Sequence, residues 1–374
     1  HASIACNLDT HLLLTALPLF EAEQVQAIEW SFDTLFKIPE IPDWFLELLD
    51  VFGEADRLVG HGVFFSLFSG QWSPEQADWL AKLEALSQRF RFNHITEHFG
   101  FMTGADFHKG APIPIPYTPT TLNIGRDRLQ RIQQACQCPV GLENLAFAYC
   151  LDEVKQHGEF LAALVEPING FIILDLHNAY CQAHNFELGL EEILAQYPLH
   201  LVREIHILGG SWQDSSILPE RQIRRDTHDD AVPEAVFELL ELALPRCPNL
   251  RFVVLEQIGT ALYDPRQQAQ FRADFLRMKT LVEHHNQERN TGPENDFQNP
   301  HPIQLAPTPA QNADLARQQQ SLSDILETAE NLAAAQSALA ASPLAQSSWQ
   351  VERWHPAMLE TVLQIAQKWK EGWK

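Results

Sequence analysis

Residues 203–212 read REIHILGGSW, an apolar run interrupted by one histidine and stopped by two glycines. A short apolar run closed by a turn signal is the pattern of a strand buried on both faces. His206 occupies a position that such a strand gives to an apolar side chain, and a buried imidazole needs a partner. One such histidine is ordinarily a satisfied core or surface residue. Here the arrangement recurs along the chain with different polar residues, and the recurrence decides the fold.

Strand-like runs occur at about 3–7, 27–32, 57–64, 92–99, 139–145, 170–176, 202–208 and 250–257. Helix-like stretches lie between them. SPEQADWLAKLEALSQRF (73–90) opens with Ser73 as N-cap and Pro74 at the first helical position. VPEAVFELLELAL (232–244) and DPRQQAQFRADFLRMKTLVEHH (264–285) carry apolar residues at helical spacing. Eight strands alternating with helices predict an α/β fold, a TIM (β/α)8 barrel over residues 1–287. Residues 288–320 are rich in Asn, Gln and Pro and read as a linker. Residues 321–374 read as a helical C-terminal extension. Its last helix places Trp354, Met358, Val362, Ile365 and Trp369 near one face. That stripe fits a helix packed back on the barrel, or a tail that docks a partner or substrate.

Of the 374 residues, 45% are hydrophobic, enough for a large core. The net charge is −23, with 26 Lys+Arg against 49 Asp+Glu and no basic cluster, which argues against a nucleic-acid partner. No apolar run reaches membrane-spanning length and no signal peptide is visible, so no membrane partner is expected. The six cysteines form no CxxC pair, as expected of reduced thiols in a cytoplasmic protein.

The polar residues gather at the C-terminal ends of the expected strands: Glu29, His61, Glu97 with His98, and Glu143 with Asn144. Asp175 with His177 and Asn178, then His206 and Glu256, complete the series. Two loops add His184, and Asp226 with His228. A barrel brings these strand ends to one mouth, where active sites are built. His94, His108 and His157 read as ordinary satisfied histidines. Each member of the series also has an ordinary role available, as a helix cap or a turn. That ordinary reading must hold independently at every position of one barrel end. Carboxylates and imidazoles buried together lose hydration unless cations hold them. A multinuclear metal site follows. Imidazole and carboxylate without organised cysteine suit iron, manganese or zinc and exclude iron–sulfur clusters.

Nine motifs in order, IEWSF, GHGVFFSL, ITEHFGF, GLENLAF, ILDLHNAY, AHNF, EIHILGG, DTHDDAV and VVLEQ, carry a family resemblance. Over residues 3–285 the chain resembles the DUF692 family of multinuclear non-heme iron-dependent oxidative enzymes, which includes the methanobactin biosynthesis oxidase. The resemblance implies a barrel like those of xylose isomerases and endonuclease IV. It implies two or three irons, mixed-valent Fe(II)/Fe(III), with O2 as cosubstrate. The metal ligands it implies are His61, His98, Glu143, Asp175, His184, His206, Asp226, His228 and Glu256. Glu29, Glu97, Asn144, His177, Asn178, Gly209 and Gly210 are expected to support these or to contact substrate. Asn178 matches the family's LD-x-NN pattern, whereas His177 replaces the first of its two asparagines. The implied activity is oxidation of a side chain, a cysteine in many members, of a ribosomally made precursor peptide, with a small leader-binding protein as partner. A metal-dependent sugar isomerase or phosphodiesterase on the same barrel, and a non-catalytic metal-binding scaffold, are the alternatives that the residues leave open.

Overall fold

The computed structural model describes residues 1–38, 40–104, 109–288, 292–298 and 303–372. His108 lies outside the described residues. Eight parallel strands close into one barrel in sequential order. They are β1 (Ala2–Ala5), β2 (Ala27–Trp30), β3 (Leu58–Gly62), β4 (His94–His98), β5 (Val140–Glu143), β6 (Phe171–Asp175), β7 (Val202–Ile207) and β8 (Phe252–Leu255). The barrel closes by pairing β1 with β8, Ser3 opposite Val254. Each strand lies within or across its expected run, and each is shorter. At β5 the reason is visible. Asn144 leaves the strand because its side chain is bonded to β6: its Nδ2 donates to the Asp175 carbonyl at 3.0 Å, and its Oδ1 accepts from the Asp175 amide at 2.7 Å.

Helices follow the strands: α1 (Thr10–Glu21), α2 (Asp43–Glu54), α3 (Pro74–Arg89), α4 (Pro119–Cys136) and α5 (Leu151–Val165). Then come α6 (Leu176–Phe186), α7 (Leu190–Leu194), α8 (Glu234–Ala243) and α9 (Pro265–Glu288). Ser73 caps α3 as its sequence predicts. Its hydroxyl accepts the Gln76 amide at 3.2 Å, and Gln76 Oε1 accepts the Ser73 amide at 3.3 Å.

Side chains alternate between the barrel interior and the surrounding helices. Ala27, Val59 and Phe252 form an apolar cluster of their own at the bottom of the interior. His94 packs its edge on Phe171 and Phe252. Its Nε2 reaches across the barrel to Glu204 at 2.7 Å. That Glu204 partner satisfies His94 in the way expected of an ordinary buried histidine.

The segment expected to be a linker has a structural role in its described residues. Phe297 is buried against Phe171, and Arg203 Nη1 donates to the Asp296 carbonyl at 3.1 Å. Residues 292–298 therefore seal the bottom of the barrel. Further on, Arg128 Nη2 donates to the Ala310 carbonyl at 2.8 Å, and α10 (Ala313–Thr328) begins inside the expected linker. Gln319 on α10 donates to the Phe68 carbonyl and accepts from the Gly70 amide, both at 2.8 Å. A Cβ on Gly70 would stand 2.6 Å from the Ala316 nitrogen, so only glycine lets α10 approach. Next come α11 (Leu332–Ala340) and α12 (Pro356–Trp369). No helix among the described residues is long and apolar enough to cross a membrane.

Asp33, just past β2, pins the loop that leaves β3. Its Oδ2 accepts from the amides of Val63 and Phe64 and from Trp79 Nε1, at 2.8–3.0 Å. Asp33→Ala leaves three donors without this acceptor. It is expected to destabilise the protein by about 2–4 kcal/mol, read as a lowered urea midpoint. A midpoint equal to that of the parent protein would contradict this role.

Candidate metal centre

Alternation along the strands and closure of the sheet aim the donors at one point. His61, Glu143 and His206 come from the odd strands β3, β5 and β7. His98 and Asp175 come from the even strands β4 and β6, and Glu256 directly follows β8. His61 Nε2 and His98 Nε2 stand 3.3 and 3.4 Å from Glu143 Oε2. His206 Nδ1 stands 3.6 Å from Glu143 Oε1 and 3.5 Å from Glu256 Oε2. His228 Nδ1 is 3.5 Å from Glu256 Oε1, and its Nε2 is 3.3 Å from Asp226 Oδ1. Donor atoms of His61, His98 and Glu143 lie within 4.8 Å of one another, and so do those of Glu143, Asp175 and His206.

Two donors bound to one ion at about 2.0–2.2 Å stand roughly 3–3.5 Å apart, the spacing seen here. Glu143 Oε2, Asp175 Oδ2, Asn178 Oδ1 and His206 Nδ1 are buried without a hydrogen bond of acceptable geometry. The Glu143, Asp175 and His206 donor atoms share one space, which is the condition a cation relieves. The donor set therefore fits metal ions.

Neighbouring groups set the tautomers. Thr96 Oγ1 lies 3.2 Å from the Gly60 carbonyl, to which it donates, so it accepts from His61 Nδ1 at 2.8 Å. This leaves the lone pair of His61 Nε2 facing Glu143. Below His206, its Nε2 meets Glu29 Oε2 at 3.1 Å, the carboxylate–histidine arrangement that orients metal ligands. At His177, Nε2 accepts from Arg224 Nε at 3.1 Å, so Nδ1 carries the proton toward Asp226 Oδ1 at 3.3 Å. The histidine that departs from the family pattern thus holds Asp226.

Without a cation, the cluster takes up protons instead. Burial alone would depress His61, yet the Glu143 carboxylate 3.3 Å away and the charge of Glu29 raise it to about 10. Burial depresses His206 and His228 as well, and the surrounding carboxylates raise both well above the usual range. Burial pushes Glu143 up, but His98, His206 and His61 hold it well below the usual range.

His184 is placed elsewhere. It lies two turns beyond His177 on α6, its Nε2 is bonded to the Gln222 carbonyl at 3.0 Å, and its ring rests on Trp212 at 4.8 Å. Glu97 sits between Thr96 and His98 in β4, so alternation turns it out of the barrel. A Cβ on Gly62 would come within 2.3 Å of its Oε2. Gly209 and Gly210 admit backbone. A Cβ there would stand 2.0 Å from the Ala231 carbonyl oxygen and 2.2 Å from that of Arg225. Asn144 and Asn178 lock β5 to α6, with Asn178 Nδ2 donating to the Asn144 carbonyl at 2.8 Å. The sequence reading missed Glu204, 3.8 Å from His206 Nε2. Period-two alternation carries that signal, since Glu204 precedes His206 by two positions.

A family described as "RiPP precursor modification enzyme MbnB/TglH/ChrH" matches residues 38–259. A UPF0276 protein of Acaryochloris marina is 28% identical over 187 residues, 50% of this chain and 64% of that relative. One from Bordetella pertussis is 32% identical over 186 residues, 49% of this chain and 63% of the relative. The chain thus spans somewhat under two thirds of these relatives. Among solved structures, an L-ribulose 3-epimerase superposes with a TM-score of 0.48 at 11% identity, covering 76% of this chain and 95% of its own. An IolI protein with a zinc atom superposes at 0.45 and 12%, covering 78% of this chain and all of its own.

Two outcomes are expected of this geometry. Glu143→Ala should weaken zinc binding by about tenfold or more, while His184→Ala leaves the metal content measured by plasma emission unchanged. Zinc binding at pH 7 should also release protons, because ions and protons compete for the same lone pairs. Calorimetry in buffers of different ionisation enthalpy reads this, and a buffer-independent enthalpy would contradict it.

Proposed function

The chain belongs to the MbnB/TglH/ChrH family of RiPP precursor modification enzymes, and we propose that it oxidises a side chain, a cysteine, of a ribosomally made precursor peptide. In this reading two or three irons are held by His61, His98, Glu143, Asp175, His206, Asp226, His228 and Glu256, and O2 is the cosubstrate. Bound iron would supply the redox chemistry and the open positions for O2 and a thiolate. His184 stands outside this set.

The protein's own residues do the rest. Thr96 and Glu29 fix the rings of His61 and His206, and His177 fixes Asp226. The side chains of His61, Glu143 and His206 are at most 3% exposed, whereas those of His98, Asp226, His228 and Glu256 are 16–25% exposed. The peptide therefore approaches from the second group's side, and the first group forms a wall that excludes water. Excluding water and holding the reacting carbon near the oxidant are what such chemistry asks of a protein.

One observation carries this reading: imidazole and carboxylate donor atoms converge at the barrel mouth, several of them buried without a well-formed hydrogen bond. Protein purified anaerobically should hold two or three irons per chain with a mixed-valent Mössbauer signal. It should also consume O2 when given a cysteine-containing peptide encoded beside its gene. A protein that retains only zinc and consumes no O2 would sink the proposal.

A further inference from the structure

Beyond residue 259 the family match ends, yet the chain's last helix reaches the mouth. Between β7 and α8, Trp212–Gln213 pairs antiparallel with Ile223–Arg224 to form a hairpin. The second strand of that hairpin runs directly into Asp226 and His228. At its end His228 has φ +55°, a left-handed conformation uncommon outside glycine. Arg224 also anchors His177, the residue that holds Asp226.

The outer side of the hairpin is covered by α12. Ala357 and Met358 pack with Ile223 in one apolar cluster against Phe147, Phe186 and Leu218. The Glu360 carboxylate accepts from Ser215 Oγ at 2.6 Å, from the Ser216 amide at 3.2 Å and from the Ser216 hydroxyl. Thr361 Oγ1 accepts from Gln213 Nε2 at 3.5 Å. The same stretch grips the loop that leaves β5. Trp354 stacks on Tyr149 at 3.7 Å with rings 5° from parallel, and the His355 amide donates to the Tyr149 carbonyl at 2.9 Å. The apolar face, which fits either packing on the barrel or docking a partner, is thus largely used inside the chain, with Trp354, Met358 and Val362 buried.

We infer that α12 is an intramolecular brace joining the β5 and β7 loops, in which Glu360 and Met358 are positioning residues that hold Asp226 and His228 in place for metal. The inference rests on the mouth being a metal centre. Glu360 touches no ligand and acts through the hairpin. Its loss frees Ser215 and Ser216, loosens the strand ahead of Arg224, and lets His228 relax from its left-handed conformation.

The test uses the full chain under argon, with Fe(II) as probe. Glu360→Ala and Met358→Ala should each weaken Fe(II) retention against a chromogenic chelator by about tenfold. Both should speed amide exchange across residues 211–228 while the barrel strands stay protected. Glu360→Gln keeps an acceptor for Ser216 and should restore both readouts. Arg317→Ala, at an exposed pair on α10, should change neither. Faster exchange with unchanged Fe(II) retention would overturn the positioning role, and unchanged exchange would overturn the brace itself. If the parent protein fails to bind Fe(II), the metal reading falls, and exchange alone judges the brace.

Discussion

Everything at the mouth follows from the cost of burying ionisable side chains beside one another. Glu29, Glu143, Asp175, Glu204, His61 and His206 are all at most 2% exposed. An isolated charge at such a depth costs several kcal/mol. The barrel answers by facing each carboxylate but Asp175 with an imidazole: Glu143 with three of them, Glu204 with His94, Glu29 with His206. This pairing is incomplete, because several oxygens and both nitrogens of His206 lack a well-formed hydrogen bond. Of these atoms, Glu143 Oε2, Asp175 Oδ2 and His206 Nδ1 lie toward the mouth.

Sheet closure makes this arrangement possible. Alternation gives each strand one inward residue at every second position, and strands of opposite parity fill successive levels. At the bottom, Ala27, Val59 and Phe252 make a dry plug, with Phe297 sealing it from below. Above the plug lie Glu204 and Glu29, then His206, Glu143 and His61, and then the partly open shell of His98, Asp226, His228 and Glu256. Polarity and exposure rise together along the barrel axis. The buried members act as a fixed scaffold, and the exposed members face whatever enters.

The loops around the mouth are tied by side chain to backbone rather than left free. Asp33 holds the exit of β3, Asn144 and Asn178 hold that of β5, and α12 lies across the β5 and β7 loops. The last helix, α12, packs on the loop that leads to Asp226 and His228 and on the loop that leaves β5.

Much of this was legible in the sequence. Eight strands in order, Ser73 as a cap, and polar residues at the strand ends are local signals of period, turn chemistry and composition. They persist whatever the rest of the chain does. Other features depended on closure. Glu97 and His98 are adjacent and look alike as ligands, yet the pleat sends one outward. His184 carries a ligand's chemistry, but α6 has climbed two turns past the site before reaching it. Glu204 finds His94 only because β4 and β7 face each other across the barrel. Residues 292–298 look like a tether, and their one buried aromatic finds a place beneath Phe171. The sequence alone determined the kind of barrel and the chemistry gathered at its rim. Tertiary structure decided which donors meet, which loops are held and where the chain's end comes to rest, because those outcomes turn on distances across a closed sheet that no local pattern encodes.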